Sequence, residues 1–439
     1  MKFKFLATAA AVVASVTSAG AADLNKPAKV AVDYVKVCDA YGAGFFYIPG
    51  SDTCLKITGY VYTGFEYGTS NTVARTSATA ATFAGSLVQG QRSQTAWDNY
   101  TRADEQFDAR TNTEYGLLRS WINFHEDVGT SGGNAAATTV RLDRAFVQFG
   151  GLTAGRALSF YNFYLSDTFG QNYGVISSES PINLLAYTFS FGNGVSATVS
   201  LEDPTTGGYD ATNAAATNYI NRRSGSTFVY GGLNAPDVVA NLNVTQAWGS
   251  AQLSGGLHQD YGNAASPATK WGYGVQAGVK LNVPTLGAGD TVGLQAAYAV
   301  GAIGYTDWQS AYYYKNPAGA FTDLGADASW SAATGIKQTK SFSVFGGLTH
   351  NFSPNYELDL SAGYLGVTGY NQTTLNNANS FGQYEFAVDL QWKPAVGVQI
   401  SPYTEFRSVN FTNSTYNAYG LASKNATTVN YGLRVRRDF

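Results

Sequence analysis

The sequence has few charged residues and no long apolar run, and both shortages narrow the choice of fold. Asp, Glu, Lys and Arg make up only 13% of the 439 residues, whereas soluble domains commonly carry about 25%. After Ala21 there is no stretch of about 20 apolar residues, which excludes ordinary membrane-spanning helices. The formal net charge of −3 gives no electrostatic reason to expect nucleic-acid binding.

The residues of common catalytic and metal sites are also scarce. The three histidines, His125, His258 and His350, lie far apart in the sequence, and no C-x-x-C or H-E-x-x-H motif occurs. One G-x-S-x-G match surrounds Ser131, but a Gly/Ala/Thr stretch follows it where a hydrolase requires a helix. We therefore expect no catalytic residues, no metal ligands and no cofactor. An enzyme assembled from distant residues is the alternative.

The N-terminus has the features of an export signal. A basic start at Lys2 and Lys4 precedes a small apolar core and a small-residue cleavage site at residues 19–21. We expect cleavage after Ala21, so that residues 1–21 are a signal peptide.

Cysteine occurs only as Cys38 and Cys54. An even pair in an exported chain favours a disulfide, which would constrain the unfolded chain by about 3 kcal/mol. Two free, buried thiols are the alternative.

The sequence is rich in glycine, with 49 residues, and in tyrosine, with 30. Its last stretch, Thr427 to Phe439, alternates between two kinds of residue. One side carries Phe439, Arg437, Val435, Leu433 and Tyr431, and the other carries Asp438, Arg436, Arg434, Gly432 and Asn430. Such a strand fits either a soluble sheet or the closing strand of a barrel whose apolar face meets lipid and whose polar face meets water.

The lengths of the connections between predicted strands distinguish these two folds. About sixteen alternating segments follow Leu55. Tight turns such as Glu114-Tyr115-Gly116 and Gly192-Asn193-Gly194 alternate with long polar loops. This alternation is typical of a membrane barrel with short periplasmic turns and long outer loops, and a soluble sandwich has no reason to show it. We predict an all-β, transmembrane, antiparallel barrel over residues 55–439, preceded by a periplasmic segment, residues 22–54, that contains the disulfide.

Several segments resemble the porins of alphaproteobacteria. They are Asp33 to Gly50 (DYVKVCDAYGAGFFYIPG), Cys54 to Val61 (CLKITGYV), Ala145 to Leu152 (AFVQFGGL), Pro236 to Val239 (PDVV) and the Arg-rich last strand. The resemblance implies a trimeric, sixteen-stranded channel for small hydrophilic solutes and ions in the bacterial outer membrane, surrounded by lipid. It also implies that the third outer loop folds inward and narrows the pore.

By count, the third outer loop is Ser159 to Ile182, whose only acids are Asp167 and Glu179. Alternation places five arginines on the opposite, lumen-facing side: Arg110, Arg119, Arg144, Arg434 and Arg436. Beside them we expect Asp108, Glu114, Asn123 and Gln148. An arginine that faced lipid near the midplane would cost about 2–4 kcal/mol, which favours the lumen. Acids on one side of the pore and arginines on the other would create a transverse field. Alternatively, some arginines only pair with neighbouring acids.

Two further functions are compatible with such a barrel. A surface adhesin would use long loops, such as Ala74 to Gln94 or Asp307 to Gly335, to bind a partner. A substrate-specific channel would use aromatic side chains such as Trp121 and Tyr161 as a stacking path for sugars.

Overall fold

A computed structural model describes residues 36–71, 97–129, 137–164, 168, 181–206, 230–306, 313–315, 321–323, 326–369, 380–415 and 424–439. The predicted signal peptide, Asp167 and Glu179 lie outside these residues. Within them, sixteen antiparallel strands, here numbered β1 to β16 in chain order, form one closed sheet. Their bounds are Cys54–Asn71 (β1), Trp97–Thr113 (β2), Gly116–Gly129 (β3), Ala137–Phe149 (β4), Leu152–Leu158 (β5), Pro181–Gly192 (β6), Val195–Asp203 (β7), Asp237–Gln246 (β8), Gly249–Tyr261 (β9), Thr269–Asn282 (β10), Thr291–Val300 (β11), Lys340–Ser353 (β12), Tyr356–Thr368 (β13), Phe381–Ala395 (β14), Val398–Phe411 (β15) and Asn425–Asp438 (β16).

The sheet closes because β1 pairs with both β2 and β16. Tyr60 lies opposite Asp438 on β16, and Cys54 lies opposite Arg110 on β2. Two backbone hydrogen bonds between Gly59 and Phe439, of 3.1 and 3.0 Å, fix the end of the last strand. A closed sheet has no free edge, so every strand satisfies its backbone groups within the sheet.

The two faces of the barrel differ as the alternation predicted. On β3, Leu118, Ile122 and Phe124 are exposed on the outside, whereas Asn123 and His125 are buried on the inside. The register carries this pattern to the neighbouring strands, because residues paired across a sheet share a face. The predicted all-β barrel with an apolar outside and a polar inside is confirmed.

Short turns and long connections lie at opposite ends of the barrel. In the turn between β6 and β7, Asn193 (φ 51°) and Gly194 (φ 76°) both adopt the left-handed conformation that tight hairpins favour. The long connection after β11 contains the 3-10 turn Ile303–Tyr305 and two short hairpins, Tyr313–Lys315 with Phe321–Asp323 and Ala328–Ser331 with Gly335–Gln338. Among the described residues, no helix is long and apolar enough to cross a membrane.

The segment before β1 folds back onto the start of that strand. It contains the 3-10 turn Asp39–Tyr41 and the short strand Phe46–Tyr47, which pairs with Cys54 and Leu55. Cys38 and Cys54 form a disulfide with a Cα–Cα distance of 6.0 Å, and Phe45 is buried against it. The predicted disulfide is therefore confirmed.

Candidate functional site

The inner face of β16 and β1 to β4 carries a set of arginines, and we call this face the arginine wall. Its members are Arg102, Arg110, Arg119, Arg141, Arg144, Arg434 and Arg436. The register places Arg434 and Arg436 opposite the inward-facing Gly64 and Tyr62 of β1. All five arginines named from the sequence thus lie on the inner face. Their position at the narrowest part of the pore stays a prediction.

Carboxylates on the same wall hold several of these arginines. Asp108 Oδ2 lies 2.7 Å from Arg110 Nη2, and its Oδ1 lies 2.8 Å from Arg119 Nε. Arg119 also donates through Nη1 to Gln148 Oε1 over 3.1 Å. Asp143 and Asp438 pair in the same way with Arg144 and Arg436, respectively. The wall is therefore a fixed array of alternating charges, as the alternative interpretation of these arginines required.

Aromatic rings form a second support for the guanidinium groups. Arg436 lies 3.9 Å from the centroid of the Tyr60 ring, Arg434 lies 4.8 Å from that of Tyr62, and Arg119 lies 4.7 Å from that of Trp121. Planar guanidinium groups stack on aromatic faces, where they retain their charge but lose freedom to reorient. These arginines therefore present their charge in a defined direction.

Two members of the wall, Arg102 and Arg141, were not predicted from the sequence as lumen-facing residues. Both pair with Asp127, over 2.6 Å from Arg102 Nε and 3.2 Å from Arg141 Nη2. Arg102 precedes Gln106 to Thr113, the segment that we predicted as a strand, although the inward phase of Asp108 extends upstream to Arg102. Strict alternation would place Arg141 and Arg144 on opposite faces, but a register shift between them turns both inward.

Glu114 was predicted to lie beside the arginines, and that prediction is wrong. The strand β2 ends at Thr113, and Glu114 is the first residue of the turn to β3. Glu114 is therefore exposed in that turn. Asn123 and Gln148, named with it, do face inward, where Asn123 donates to Asp104 and Gln148 accepts from Arg119.

The chain between Cys38 and Cys54, which we call the disulfide-closed segment, lies against the turn end of the arginine wall. The guanidinium of Arg110 lies 4.9 Å from the Phe45 ring centroid and 5.8 Å from that of Tyr41. On β1, Nζ of Lys56, two residues after Cys54, lies 5.8 Å from the Phe45 ring centroid. The segment therefore brings two aromatic rings to the inner face at this end of the barrel.

A different set of side chains lines the opposite side of the barrel. Asn241, Gln252, Gln276 and Gln295 lie on the inner face of β8 to β11, and we call this face the amide wall. Alternation gives their direction: Gln252 is 8% exposed and its neighbour Leu253, on the outer face, is 59% exposed.

The amide wall binds the first residues of the loop that follows β5. Asn241 Nδ2 donates to the carbonyl of Phe160 over 2.6 Å, Gln276 Nε2 to that of Tyr161 over 2.9 Å, and Gln252 Nε2 to that of Asn162 over 2.9 Å. Gln295 Oε1 accepts from the backbone N–H of Tyr164 over 3.0 Å. Backbone groups without secondary structure are thus satisfied by side-chain amides. We call residues 159–164 the anchored loop segment.

The anchored loop segment crosses several strands of the inner wall. At its start, the Phe160 N–H donates to Glu202 Oε1 on β7 over 3.1 Å. Further on, Tyr164 packs on Gly293 and Gly347, where an added Cβ would lie 2.4 Å from the Tyr164 side chain. Thr168 reaches Ser361 on β13 at 3.1 Å. The narrowing of the pore by the rest of this loop stays a prediction, since residues 165–167 and 169–180 lie outside the described part of the chain.

Tyr161 was considered as part of a sugar-stacking path, and the structure contradicts that role. Its side chain is 0% exposed, and its ring lies 4.4 Å from that of Tyr305, centroid to centroid. A ring covered in this way offers no free face to a solute.

A buried network ties the outer connections to the barrel. The hydroxyl of Tyr230 lies 2.9 Å from His258 Nε2, 3.0 Å from Asp260 Oδ1 and 2.8 Å from Asp327 Oδ2. Burial and the two carboxylates raise the pKa of Tyr230 well above its ordinary value, so its hydroxyl keeps its proton. Ligand atoms of His258, Asp260 and Asp327 lie within 4.8 Å of one another, and the phenol occupies the space between them. This network of hydrogen bonds therefore joins the connections that contain Tyr230 and Asp327 to the strand β9.

Comparison with known proteins agrees with this architecture. The family model of the porin subfamily matches residues 23–432. Porin Omp2b of Brucella suis biovar 1 is 34% identical over 263 residues, which cover 57% of this chain and 64% of that porin. Porin Omp2b of Brucella abortus strain 2308 matches over the same shares. The chain thus matches slightly less than two thirds of the length of these relatives.

Two solved structures share the fold at low sequence identity. The outer membrane channel DcaP of Acinetobacter baumannii superimposes with a TM-score of 0.59 at 15% identity, over 90% of this chain and 99% of that chain. Salmonella typhi OmpF, in complex with daunomycin, gives a TM-score of 0.52 at 12% identity, over 88% and 98%. Together with the family match, the closed barrel and its apolar outside assign this chain to the porin subfamily, in the bacterial outer membrane.

Proposed function

We propose that this protein forms a water-filled channel through which small hydrophilic solutes and ions diffuse passively across the outer membrane. The observation that supports this proposal is the closed sixteen-stranded barrel with an apolar outside and charged side chains inside. Side chains cannot fill the interior of a barrel of this size, so the lumen holds water. No catalytic role is proposed.

The pore constriction in this proposal lies between the arginine wall and the loop that follows β5. The amide wall holds the start of the loop on the side of the barrel opposite the arginine wall. Asp167 and Glu179 are the acids that the loop would contribute to a transverse field. Arg110, Arg119, Arg144, Arg434 and Arg436 are the proposed cationic side.

The proposal extends to processing and assembly. Residues 1–21 are removed as a signal peptide, residues 22–54 form the periplasmic segment, residues 55–439 form the barrel, and three copies assemble into a homotrimer. Mass spectrometry of the mature chain tests the first point, since the expected N-terminal residue is Ala22.

Planar-bilayer recording tests the transport function. Purified chains should insert with stepwise increases in current, and a homotrimer should close in three equal steps. Insertion confirmed by protease protection, without any conductance, would refute the channel.

A substrate-specific channel is the second candidate, and one observation favours it. The rings of Trp121 and Phe146 lie parallel on the inner face, with centroids 6.4 Å apart and an interplanar angle of 6°. Liposome swelling with sugars of graded size, for the wild type and for Trp121→Ala, separates the candidates. Entry that depends only on size supports the general pore. One favoured sugar that the variant no longer admits supports the specific channel. No entry of any sugar supports an adhesin.

A further inference from the structure

The buried network around Tyr230 contains more close polar contacts than its own hydrogens can satisfy. We call its members the tyrosine latch: Tyr230, Asp237, His258, Asp260 and Asp327. The phenol oxygen of Tyr230 lies 3.0 Å from Asp260 Oδ1 and 2.8 Å from Asp327 Oδ2. The His258 ring contacts the phenol oxygen through Nε2 over 2.9 Å and Asp237 Oδ1 through Nδ1 over 2.7 Å. Each of these four contacts requires one hydrogen between its two heavy atoms.

Two of the four hydrogens must be added protons. A neutral tyrosine supplies one hydrogen and a neutral imidazole supplies one, whereas ionised carboxylates supply none. The His258 ring provides the third hydrogen when it is an imidazolium. The fourth must be carried by Asp260 or Asp327, because both carboxylates face one phenol that has a single hydrogen. The latch is therefore complete only when it has bound two protons.

Other donors do not supply these hydrogens. The second oxygen of each carboxylate already has its own donor: Tyr305 for Asp237, Gln338 for Asp260 and the backbone N–H of Ile303 for Asp327. Every member of the latch is at most 8% exposed, so bulk water does not reach the four contacts. Two buried acceptor atoms in contact without a hydrogen between them are costly. The four contacts therefore depend on the added protons.

Neither a neighbouring charge nor a metal ion replaces the two protons. In the register, Glu202 on β7 lies opposite Asp237, and Lys270 on β10 lies opposite Asp260. Glu202 accepts a backbone N–H of the anchored loop segment, Lys270 is exposed, and within the described part of the chain neither donates to the latch. The phenol oxygen lies within 3.0 Å of the imidazole and of both carboxylates, so no space for a metal ion remains between them.

The latch joins two outer connections to the barrel wall. Asp260 lies on the inner face of β9, whereas Tyr230 belongs to the connection before β8. Asp327 directly precedes a hairpin, Ala328–Ser331 with Gly335–Gln338, which we call the outer hairpin. Both connections therefore reach the wall through contacts that need the added protons.

We propose that the tyrosine latch is a proton-dependent switch. While both protons are bound, it holds the outer hairpin and the segment at Tyr230 against the barrel wall, and it releases them when a proton is lost. Without the shared proton, Asp260 and Asp327 face the phenol as two anions in a buried space of low dielectric, and they repel each other. The docked state binds more protons than the released state, so its stability falls as the pH rises. A role in regulating transport rests on the proposed channel, but the docking itself does not depend on transport.

Hydrogen–deuterium exchange of the outer hairpin tests the switch without a transport measurement. Full-length wild type and Asp260→Asn in lipid vesicles are compared from about pH 5 to about pH 9, the range in which buried carboxyl groups release their protons. An asparagine side chain brings its own hydrogens, so its Nδ2 can donate to the phenol while its oxygen accepts from Gln338. Wild-type exchange in the hairpin should exceed that of the variant by up to about tenfold for each pH unit above the loss of the first proton. Equal exchange rates over the whole range would overturn the inference.

Asp359→Asn is the matched control for this substitution. Asp359 is also a buried carboxylate of the inner face, but its donors Thr349 and Gln391 bring their own hydrogens. The control should keep the wild-type profile, and a loss of pH dependence in both variants would refute a specific role of the latch. If Asp260→Asn does not fold, the wild-type profile, corrected for the intrinsic pH dependence of amide exchange, decides alone. A flat corrected profile refutes the switch.

Conductance measured on the same samples separates this inference from the proposed function. The single-channel current of the wild type should become noisier as the pH rises, and that of Asp260→Asn should not. A conducting protein with a flat exchange profile refutes the switch alone. A protein that shows the expected exchange profile but carries no current refutes the channel alone.

Discussion

The arginine wall and the amide wall each hold a piece of chain against the inside of the barrel, but they do so by different chemistry. The disulfide-closed segment is joined covalently at Cys54 and stacks Phe45 on Arg110. The anchored loop segment contains no cysteine and so no disulfide to the wall. It depends on hydrogen bonds from side chains such as Gln252 and Gln276.

This difference explains where charge remains available in the pore. Neutral amides satisfy the backbone of the loop without adding charge to their wall. On the arginine wall, ion pairs and rings fix the guanidinium groups, and the disulfide-closed segment contacts Arg110 near the turn end. A solute that passes between the two walls therefore meets ion-paired arginines on one side and loop backbone held by side-chain amides on the other.

The largest expected effect comes from cutting the covalent attachment. Cys38→Ser with Cys54→Ser should lower the free energy of unfolding by about 3 kcal/mol, because the unfolded chain is no longer constrained. Urea unfolding in lipid vesicles measures this change, and reductant applied to the wild type serves as the matched control. An unchanged unfolding midpoint in both samples would show that the cation–π contacts alone hold the segment.

The next largest effect should follow from releasing the loop. Gln252→Leu with Gln276→Leu leaves the carbonyls of Tyr161 and Asn162 without these donors, at a net cost of about 0.5–1.5 kcal/mol for each hydrogen bond lost. We expect a larger and flickering single-channel conductance, because the loop would detach from the amide wall.

The matched control for this change is Gln391→Leu. Gln391 also faces inward, but among the described residues it donates to Asp359 on β13. Equal conductance changes in the control and in the double variant would mean that the amide wall does not position the loop.

Much of the barrel could be predicted from the sequence because strand alternation is a local property. Leu117 to Asp127 alternated clearly, and β3 has the faces that this pattern indicated. The first half of β2 did not show a strand pattern, because its outer face carries Thr101, Ala103 and Glu105 in place of large apolar residues. These three outward-facing residues are why the start of the strand could not be recognised.

The anchored loop segment could not be predicted in the same way. Its contacts join residues that are far apart in the chain, as between Tyr164 and Gln295, which are separated by 131 positions. An inward-facing glutamine has the same alternation whether it binds water or a loop carbonyl. The inward orientation of Arg141 depends on a register shift, and no single residue of the sequence indicates that shift.

The smallest expected effect, and the sharpest test of the charged wall, is a shift in ion selectivity. Arg119→Ala removes one of the two cations that pair with Asp108, so the pore should become more permeable to cations. Arg436→Ala should act in the same direction. The reversal potential in a salt gradient measures the shift, which should be clear near 0.1 M salt, where the screening length is about 10 Å, and nearly absent at 1 M, where it is about 3 Å.

Arg437 provides the matched control, because it is adjacent to Arg436 but lies on the outer face and donates to the carbonyl of Val396. Arg437→Ala removes the same charge from the same end of the barrel without removing it from the lumen. If Arg437→Ala shifted the reversal potential as much as Arg436→Ala does, the selectivity would follow the total charge of the protein, and the two walls would not differ in function. A shift that occurs only for the inward-facing residue requires that ions pass along the arginine wall.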